Sequence, residues 1–389
     1  MSKVEFEVNP AIVVVTYNRP KSLQRLLTSI SNASYSFENV QLIISIDYSD
    51  SKAHDEIITL AKKFQWSFGN KKIIEHKKNI GLRNHILSCG DMSQEYGSVI
   101  ILEDDLIVSP AFYKYATEAK IHYQDELKVA GISLYSYEYE ELGWFQFYPK
   151  NLGTDSFFMQ WTSSWGQLWT YSQWKSFRDW YADDQKIEHI NIPLKAKGWK
   201  KSWKKFHIAY LVDTDRYFVY PYHSYTTMRD EGGEHYQNDS RQNSVNLVSR
   251  NLKKKFLFSE INEDELKYDV FFQPVKKKFY IETLNKEITI EFDFFGTKEI
   301  DNFQSEYVCS IKQPNRVIES FSNKFIPYEN NIEMYEYGNH LYLAKKEDFV
   351  SKMSVINIGK VLYNTRKIYA IKEMVIVIIY RMISKFIKI

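Results

Sequence analysis

One stretch constrains this chain more than any other: Val99-Ile100-Ile101-Leu102, an uninterrupted apolar run, ends abruptly in Glu103-Asp104-Asp105. An apolar run of strand length predicts a buried central strand, which places three carboxylates at its end, at the mouth of a cleft. Open α/β sheets bind ligands at that edge. Adjacent carboxylates repel unless a cation or hydrogen-bond donors hold them. A hard divalent ion, Mg²⁺ or Mn²⁺, with phosphate oxygens completing its shell is a natural occupant. The plainer alternative is an acidic turn after a core strand, with an Asp capping a helix.

The flanking sequence favours the cleft. Ala11 to Thr16 reads as a first buried strand and passes through Tyr17-Asn18-Arg19-Pro20 into a helix whose Leu23, Leu26, Leu27 and Ile30 follow the helical period. Pro20 suits the first helical turn, where no amide donor is needed. Gln41 to Ile46 forms a second strand that again ends in a carboxylate, Asp47. Strands alternating with helices in this way build a parallel, right-handed α/β unit, and its strand ends converge on one crevice.

Four segments together, Val-Val-Thr-Tyr-Asn-Arg-Pro, Ile-Ser-Ile-Asp, Asn79-Ile80-Gly81-Leu82-Arg83 and Ile-Leu-Glu-Asp-Asp-Leu, resemble the GT-A glycosyltransferases. The likeness is to family 2-like bacterial sugar transferases related to the Golgi N-acetylglucosaminyltransferase that begins complex N-glycans. It covers about residues 8 to 245, with Glu-Asp-Asp in the place of the Asp-X-Asp motif. It implies a Rossmann-like nucleotide-diphospho-sugar transferase domain in which Asp47 contacts the nucleotide base, Asp104 lies near the ribose and Asp105 ligates the metal. The same match puts Thr16, Tyr17, Asn18, Arg19 and Glu103 around the donor. Arg83 is a second candidate for the diphosphate, since a guanidinium matches phosphate geometry; the alternative is a surface arginine. A divalent cation would stabilise the nucleotide diphosphate as it leaves.

Between Gln160 and Trp180 the chain carries Trp161, Trp165, Trp169, Trp174 and Trp180, with Trp144 just before. Tryptophan fills cores, but it also offers a flat apolar face to a sugar ring while its N–H stays free for a hydroxyl. Ser163-Ser164-Trp165-Gly166 resembles the donor-sugar and acceptor loop of the bacterial enzymes. An inverting transfer needs a general base for the acceptor hydroxyl. By the same resemblance Asp179 takes that place, although Arg178 stands where the family carries an acidic residue and Asp183-Asp184 follow closely. Otherwise Asp179 is a helix-surface residue paired with Lys175 or Arg178. Further on, Arg229-Asp230-Glu231-Gly232-Gly233-Glu234-His235 resembles the loop that closes over the donor, bringing His235 to the diphosphate or the metal. Its paired glycines suit a close approach of backbone to phosphate.

Composition agrees with a large globular enzyme. With 389 residues and 44% hydrophobic content the chain can bury more than one core, and 51 basic against 49 acidic residues argues against a dedicated nucleic-acid binder. Cys89 and Cys309, far apart in sequence, read as free thiols of a reducing compartment. The charged first ten residues do not read as a secretion signal.

The expected organisation is a transferase domain over 1–248, a β-containing accessory region over 249–348 and a basic tail over 349–389. In the accessory region Lys278 to Thr283, Ile288 to Phe295 and Leu341 to Ala344 read as strands. In the tail, Arg381, Lys385 and Lys388 fall on one helical face, and Ile376, Ile379, Ile383, Phe386 and Ile387 on the other. That pattern suits an anionic membrane surface, whereas the apolar run Met374 to Tyr380 is far short of the roughly 20 residues a span needs. Packing of this helix on the protein itself is the alternative.

The expectation is therefore a cytoplasmic, peripherally membrane-bound, Mn²⁺- or Mg²⁺-dependent glycosyltransferase. It would move a sugar, with inversion, from a UDP-sugar or similar donor to a hydroxyl of a bacterial surface glycan or lipid-linked glycan. A sugar nucleotidyltransferase would carry a glycine-rich basic loop after the first strand, where this chain has Thr16-Tyr17-Asn18-Arg19-Pro20. A non-catalytic glycan-binding protein would bind sugar without regard to metal or to Asp105.

Overall fold

A computed structural model of the chain describes residues 9–35, 39–181, 186–229, 244–350, 355–363 and 371–386. Two compact units emerge, one of residues up to 136 with 153–261, the other of 137–152 with 262–389. The dividing point lies beyond the expected 248. Residues 249–261 stay with the first unit because the Leu257 amide donates to Asp155 (2.7 Å) and the Ser259 amide to Ser156 Oγ (3.0 Å). Residues 137–152 join the second unit through aromatic packing: Phe145 stacks on Phe295 with ring centres 5.0 Å apart.

The first unit runs β1 (Ala11–Thr16), α1 (Pro20–Ser31), β2 (Leu42–Ile46), α2 (Lys52–Lys63), β3 (Lys71–Glu75), α3 (Gly81–Asp91), α4 (Ser93–Tyr96), β4 (Ser98–Glu103), β5 (Leu106–Val108) and α5 (Phe112–Tyr123). It continues through β6 (Val129–Ser133), β7 (Ser156–Met159), β8 (Gln167–Thr170), α6 (Tyr171–Tyr181), α7 (Leu194–Lys197), α8 (Lys204–Asp213), β9 (Tyr217–Pro221) and β10 (Thr226–Met228). Its strands lie in the order β7-β9-β6-β8-β4-β1-β2-β3. β1 sits between β2 and β4, parallel to both, and every residue of β1 and β2 is buried. Continuous apolar runs are what strands covered on both faces require. β3, not foreseen in the sequence, extends the parallel block at the edge; its half-buried Lys-Lys-Ile-Ile-Glu is neither a continuous run nor a clean alternation.

On α1 the predicted stripe Leu23, Leu26, Leu27 and Ile30 is buried and Pro20 occupies the first turn. The register pairs Thr16 with Ile46 and Val15 with Glu103, so Thr16, Asp47 and Asp104 leave the sheet at one edge. β5 and β10 form a separate antiparallel pair just beyond that edge, matching Leu106 with Met228.

In the second unit β11 (Lys267–Tyr268), β12 (Lys277–Ile281), β13 (Lys286–Asp293), β14 (Tyr307–Ser310), β15 (Glu319–Phe321) and β16 (Leu341–Lys345) precede or surround the short α9 (Glu329–Glu333). Five of these form a sheet ordered β12-β13-β14-β16-β15, and the three segments read as strands from sequence are all in it. Two helices follow, α10 (Val355–Tyr363) and α11 (Ile371–Phe386), and they pack on each other. At Gly359 a β-carbon would come within 2.5 Å of Tyr380 Cβ, so this close crossing needs glycine. The tail helix thus has a protein neighbour. Its Met374, Val375, Ile378, Ile379 and Met382 nevertheless remain exposed, beside an exposed Arg381. The side chains of Lys385 and Phe386, and residues Ile387 and Lys388, lie outside the described residues. Among the described residues no helix is long and apolar enough to cross a membrane. Cys89 and Cys309 are buried and free.

Candidate active site

At the shared edge the ends of β1 and β4 meet. The Thr16 hydroxyl donates to Asp104 Oδ2 (2.7 Å), and Arg19, at the cap of α1, reaches Asp104 Oδ1 through Nη2 (2.5 Å) and Asp105 Oδ2 through Nη1 (3.0 Å). One planar guanidinium thus pairs with two adjacent carboxylates, one nitrogen to each. Asp104 is 2% exposed. Burial pushes its carboxyl up to about 6, while Arg19, the Thr16 hydroxyl and the Tyr17 amide hold it down. Glu103 is pushed up to about 8 by burial and the Asp105 and Asp104 charges, against the pull of Arg19 and Lys204. On Arg19 the Asp104 and Asp105 charges outweigh desolvation and raise the pKa. Negative charge is therefore concentrated here beyond what one arginine neutralises.

Asp105 also anchors the following turn: its carbonyl accepts the Arg229 amide (3.1 Å). The chain returns at Ser244, whose hydroxyl donates to the Met228 carbonyl (2.8 Å). Residues 230–243 between these points, His235 included, lie outside the described residues. Tyr17 is half-buried and Asn18 exposed in the β1–α1 turn.

Asp47 is held by three backbone amides. Oδ1 accepts the amides of Tyr48 and Ile80 (2.9 Å each) and Oδ2 that of Gly81 (3.0 Å), so the carboxylate caps α3 and fixes the Asn79–Gly81 turn. Gly81 begins that helix at φ +75°, a conformation that costs glycine little. Beneath lies His85, whose Nε2 is 2.7 Å from Ser45 Oγ and whose pKa burial pushes down to about 4. Arg83 points elsewhere: it donates to the Lys200 carbonyl, and its guanidinium lies 5.0 Å over the Phe206 ring. It is not drawn to the carboxylates because α3 turns it toward the segment before α8.

The tryptophan segment divides. Trp161, Trp169 and Trp174 are core side chains, exposed by 1% or less, and so cannot offer a face to a sugar. Trp180 is half-buried, and its Nε1 donates to Asp213 (2.9 Å). Trp165 is half-buried and edge-on to Tyr135 at 4.7 Å. Gly166 after it takes φ +94°, and a β-carbon there would lie 2.7 Å from Thr226 Cγ2, so this loop tolerates only glycine. Asp179 stands on the solvent face of α6, its side chain 63% exposed and paired with Lys175 one turn back. No contact joins it to Asp104 or Asp105, because its helical phase turns it outward, away from the buried Trp174 and Phe177.

One residue the sequence reading missed is Lys204. It is 5% exposed, with Nζ 5.2, 5.4 and 5.8 Å from the ring centres of Trp161, Trp165 and Trp199, and its charge acts on Glu103. Three indole faces around one ammonium make a cation–π box. The interleaving of Trp199, Trp203 and lysines in Trp-Lys-Lys-Ser-Trp-Lys was its sequence signal.

For a metal ion, among the described residues no three His, Cys, Asp or Glu side chains converge. The donor set is nevertheless of the right chemistry: two adjacent carboxylates, with Asp104 Oδ1 buried and making no hydrogen bond of good geometry. Ligand oxygens and water would have to complete the shell.

Residues 11–176, from β1 into α6, match the Glycosyl transferase family 2 profile. The chain carries a glycosyltransferase family 2 domain. Its fold is the GT-A arrangement, a Rossmann-like parallel block with the acidic turn after β4, followed by a strand-rich C-terminal unit. No curated protein matches the chain. Among solved structures, the glycosyltransferase domain resembles S. aureus TarS 1–349 (16% identity, TM-score 0.36, covering 56% of this chain and 59% of that one). It also resembles the same protein in complex with UDP-GlcNAc (16%, TM-score 0.38, covering 58% and 59%). A third is the mannosyltransferase PcManGT from Pyrobaculum calidifontis in complex with GDP-Man and Mn²⁺ (12%, TM-score 0.26, covering 32% and 35%). The match thus spans about 59% of the length of the TarS fragment.

Proposed function

We propose that this glycosyltransferase takes a sugar from a nucleotide diphosphate donor, UDP-linked in the first instance, and passes it to a hydroxyl of a bacterial surface glycan. The observation that carries this reading is the cluster of Thr16, Arg19, Glu103, Asp104 and Asp105 at the sheet edge. Asp105, with Asp104 beside it, would hold a divalent cation, Mn²⁺ or Mg²⁺, which when bound neutralises the leaving diphosphate. Arg19 already pairs with both carboxylates and would share the diphosphate when the donor arrives. Lys204 adds a second fixed positive charge next to Glu103. Thr16 and the Tyr17 amide orient Asp104 toward the ribose. Asp47 acts through the Asn79–Gly81 turn, shaping the base pocket with backbone amides rather than offering its own oxygens. Trp165 is the candidate for the donor-sugar side, His235, which lies outside the described residues, stays the candidate of the sequence for the diphosphate or the metal, and Asp179 remains the base candidate for an inverting transfer.

Calorimetric titration of UDP-sugars and GDP-sugars, with and without Mn²⁺, on wild type and Asp105→Ala tests this. Mn²⁺-dependent binding of one donor, lost in the variant, is expected; equal binding by the variant refutes the assignment. Asp179→Asn in the matching turnover assay is expected to abolish transfer with donor affinity kept, and full activity would remove Asp179 as the base.

The tail belongs to the same reading. The exposed stripe Met374, Val375, Ile378, Ile379 and Met382 beside Arg381 suits insertion at an anionic membrane surface, holding the enzyme on the inner face of the cell membrane near lipid-linked acceptors. Ile378→Glu with Met382→Glu should release the protein from phosphatidylglycerol vesicles in a flotation assay; unchanged flotation would place the stripe elsewhere.

A further inference from the structure

Beside the acidic edge the first unit carries a basic strip that the fold does not neutralise. Lys195, Lys197, Lys200, Lys201, Lys204 and Lys205 fall in α7, α8 and the turn between them, and no acidic residue occurs from His189 to Val212. Lys195, Lys200 and Lys201 are exposed, and Lys197 and Lys205 half-buried. The acceptors of the last two are main-chain carbonyls: Lys197 donates to that of Glu188 (2.8 Å) and Lys205 to that of Lys197 (3.4 Å). Among the described residues no carboxylate forms an ion pair with Lys197, Lys200, Lys201 or Lys205.

Arg83 adds to the imbalance. α3 brings it to the same strip, where its guanidinium and the Lys205 ammonium each lie 5.0 Å from the centre of the Phe206 ring. It donates to the Lys200 carbonyl, while its Nε is shielded from water and makes no hydrogen bond. Burial, then the Arg83 charge, pushes the Lys205 pKa down, and Glu188 pulls it up by less. Two cations sharing one ring, with guanidinium donors left over, suit an oxyanion that relieves their repulsion.

A flat face joins the strip to the transfer edge. The half-buried Trp199 has Lys204 Nζ 5.8 Å from its ring centre, and the Lys204 charge acts in turn on Glu103. A pyranose packs its C–H face on an indole, and an anionic substituent on the same chain then reaches the lysines. We propose that this strip binds an acidic glycan, phosphate- or carboxylate-bearing, through Arg83, Lys200, Lys201 and Lys205. That the bound chain is the acceptor rests on the transfer reading; the binding itself needs neither nucleotide nor metal.

Calorimetric titration of the full chain, free of nucleotide, with dextran phosphate, carboxymethyl dextran and neutral dextran tests the strip. At least one charged dextran should bind, and which of them binds names the anion; neutral dextran should not. Lys200→Glu with Lys201→Glu, two exposed changes that break no described contact, should weaken binding tenfold or more. Asp105→Ala should bind at least as well as wild type, so a failure of the donor site is read separately from a failure of the strip. Binding of neither charged dextran, equal binding by the double variant, or neutral dextran bound as tightly as the charged ones overturns the proposal. Retention on phosphatidylglycerol vesicles that the double variant loses, with no charged dextran bound, gives the strip to a membrane surface and overturns it too.

Discussion

Asp47→Ala separates a structural carboxylate from a ligand-contacting one. In the folded chain its two oxygens accept three backbone amides, those of Tyr48, Ile80 and Gly81, and the side chain is 3% exposed. Bonds to a charged acceptor contribute roughly 1.5–3 kcal/mol each when fully buried, but Ile80 and Gly81 are only half-buried and Tyr48 is exposed, so water recovers part of the loss. About 1 kcal/mol per amide, ~3 kcal/mol in all, is a fair magnitude. For a unit of this size that corresponds to a fall in Tm of about 6–12 °C. Asp47→Asn keeps one carbonyl oxygen for two of the amides but sets an NH₂ against the third, and should cost about a third to a half as much. The assay is scanning calorimetry of the ligand-free protein. If Asp47 served only to touch a nucleotide base, the ligand-free Tm would stay within ~2 °C of wild type, and the capping role would be refuted.

Arg19→Met removes the cation that pairs with the buried Asp104. The ligand-free protein should lose about 3–5 kcal/mol, and a Tm equal to wild type by calorimetry would show that the pair is not doing this. Acid stability gives an independent check. Burial holds His207 at about 3 and His85 at about 4, below the usual value for histidine, so the unfolded chain binds more protons as pH falls. Their contribution is complete above pH ~6.5 and is lost toward pH ~4, at about 1.4 kcal/mol per unit for each group. Glu103 and Asp104, whose pKa values are raised, act in the opposite direction but identically in both proteins compared. His207→Gln, which can still bond the Thr162 hydroxyl, should therefore lose ~2 kcal/mol less than wild type between pH 6.5 and 4.5; parallel denaturant curves at the two pH values would refute this.

The parallel core and its acidic edge follow from local pattern alone. β1, β2 and β4 are apolar along their whole length and the stripe of α1 is periodic, so local pattern and tertiary burial agree. A carboxylate that follows such a strand must leave the sheet at that end. Other features depend on groups far apart in sequence. The partners of Asp47 come 33 and 34 residues later, from a helix start whose position nothing near Asp47 encodes. Density of tryptophan does not say which rings are core: Trp161, Trp169 and Trp174 are, while Trp165 reaches the surface because Gly166 turns the chain and Lys204 comes to meet it. Residues 137–152 pack with aromatics more than a hundred positions away, as Phe147 does with Tyr268, so the extent of the second unit follows from packing rather than from position along the chain. Periodicity fixes which face of an element is apolar; only the assembled chain decides what that face meets.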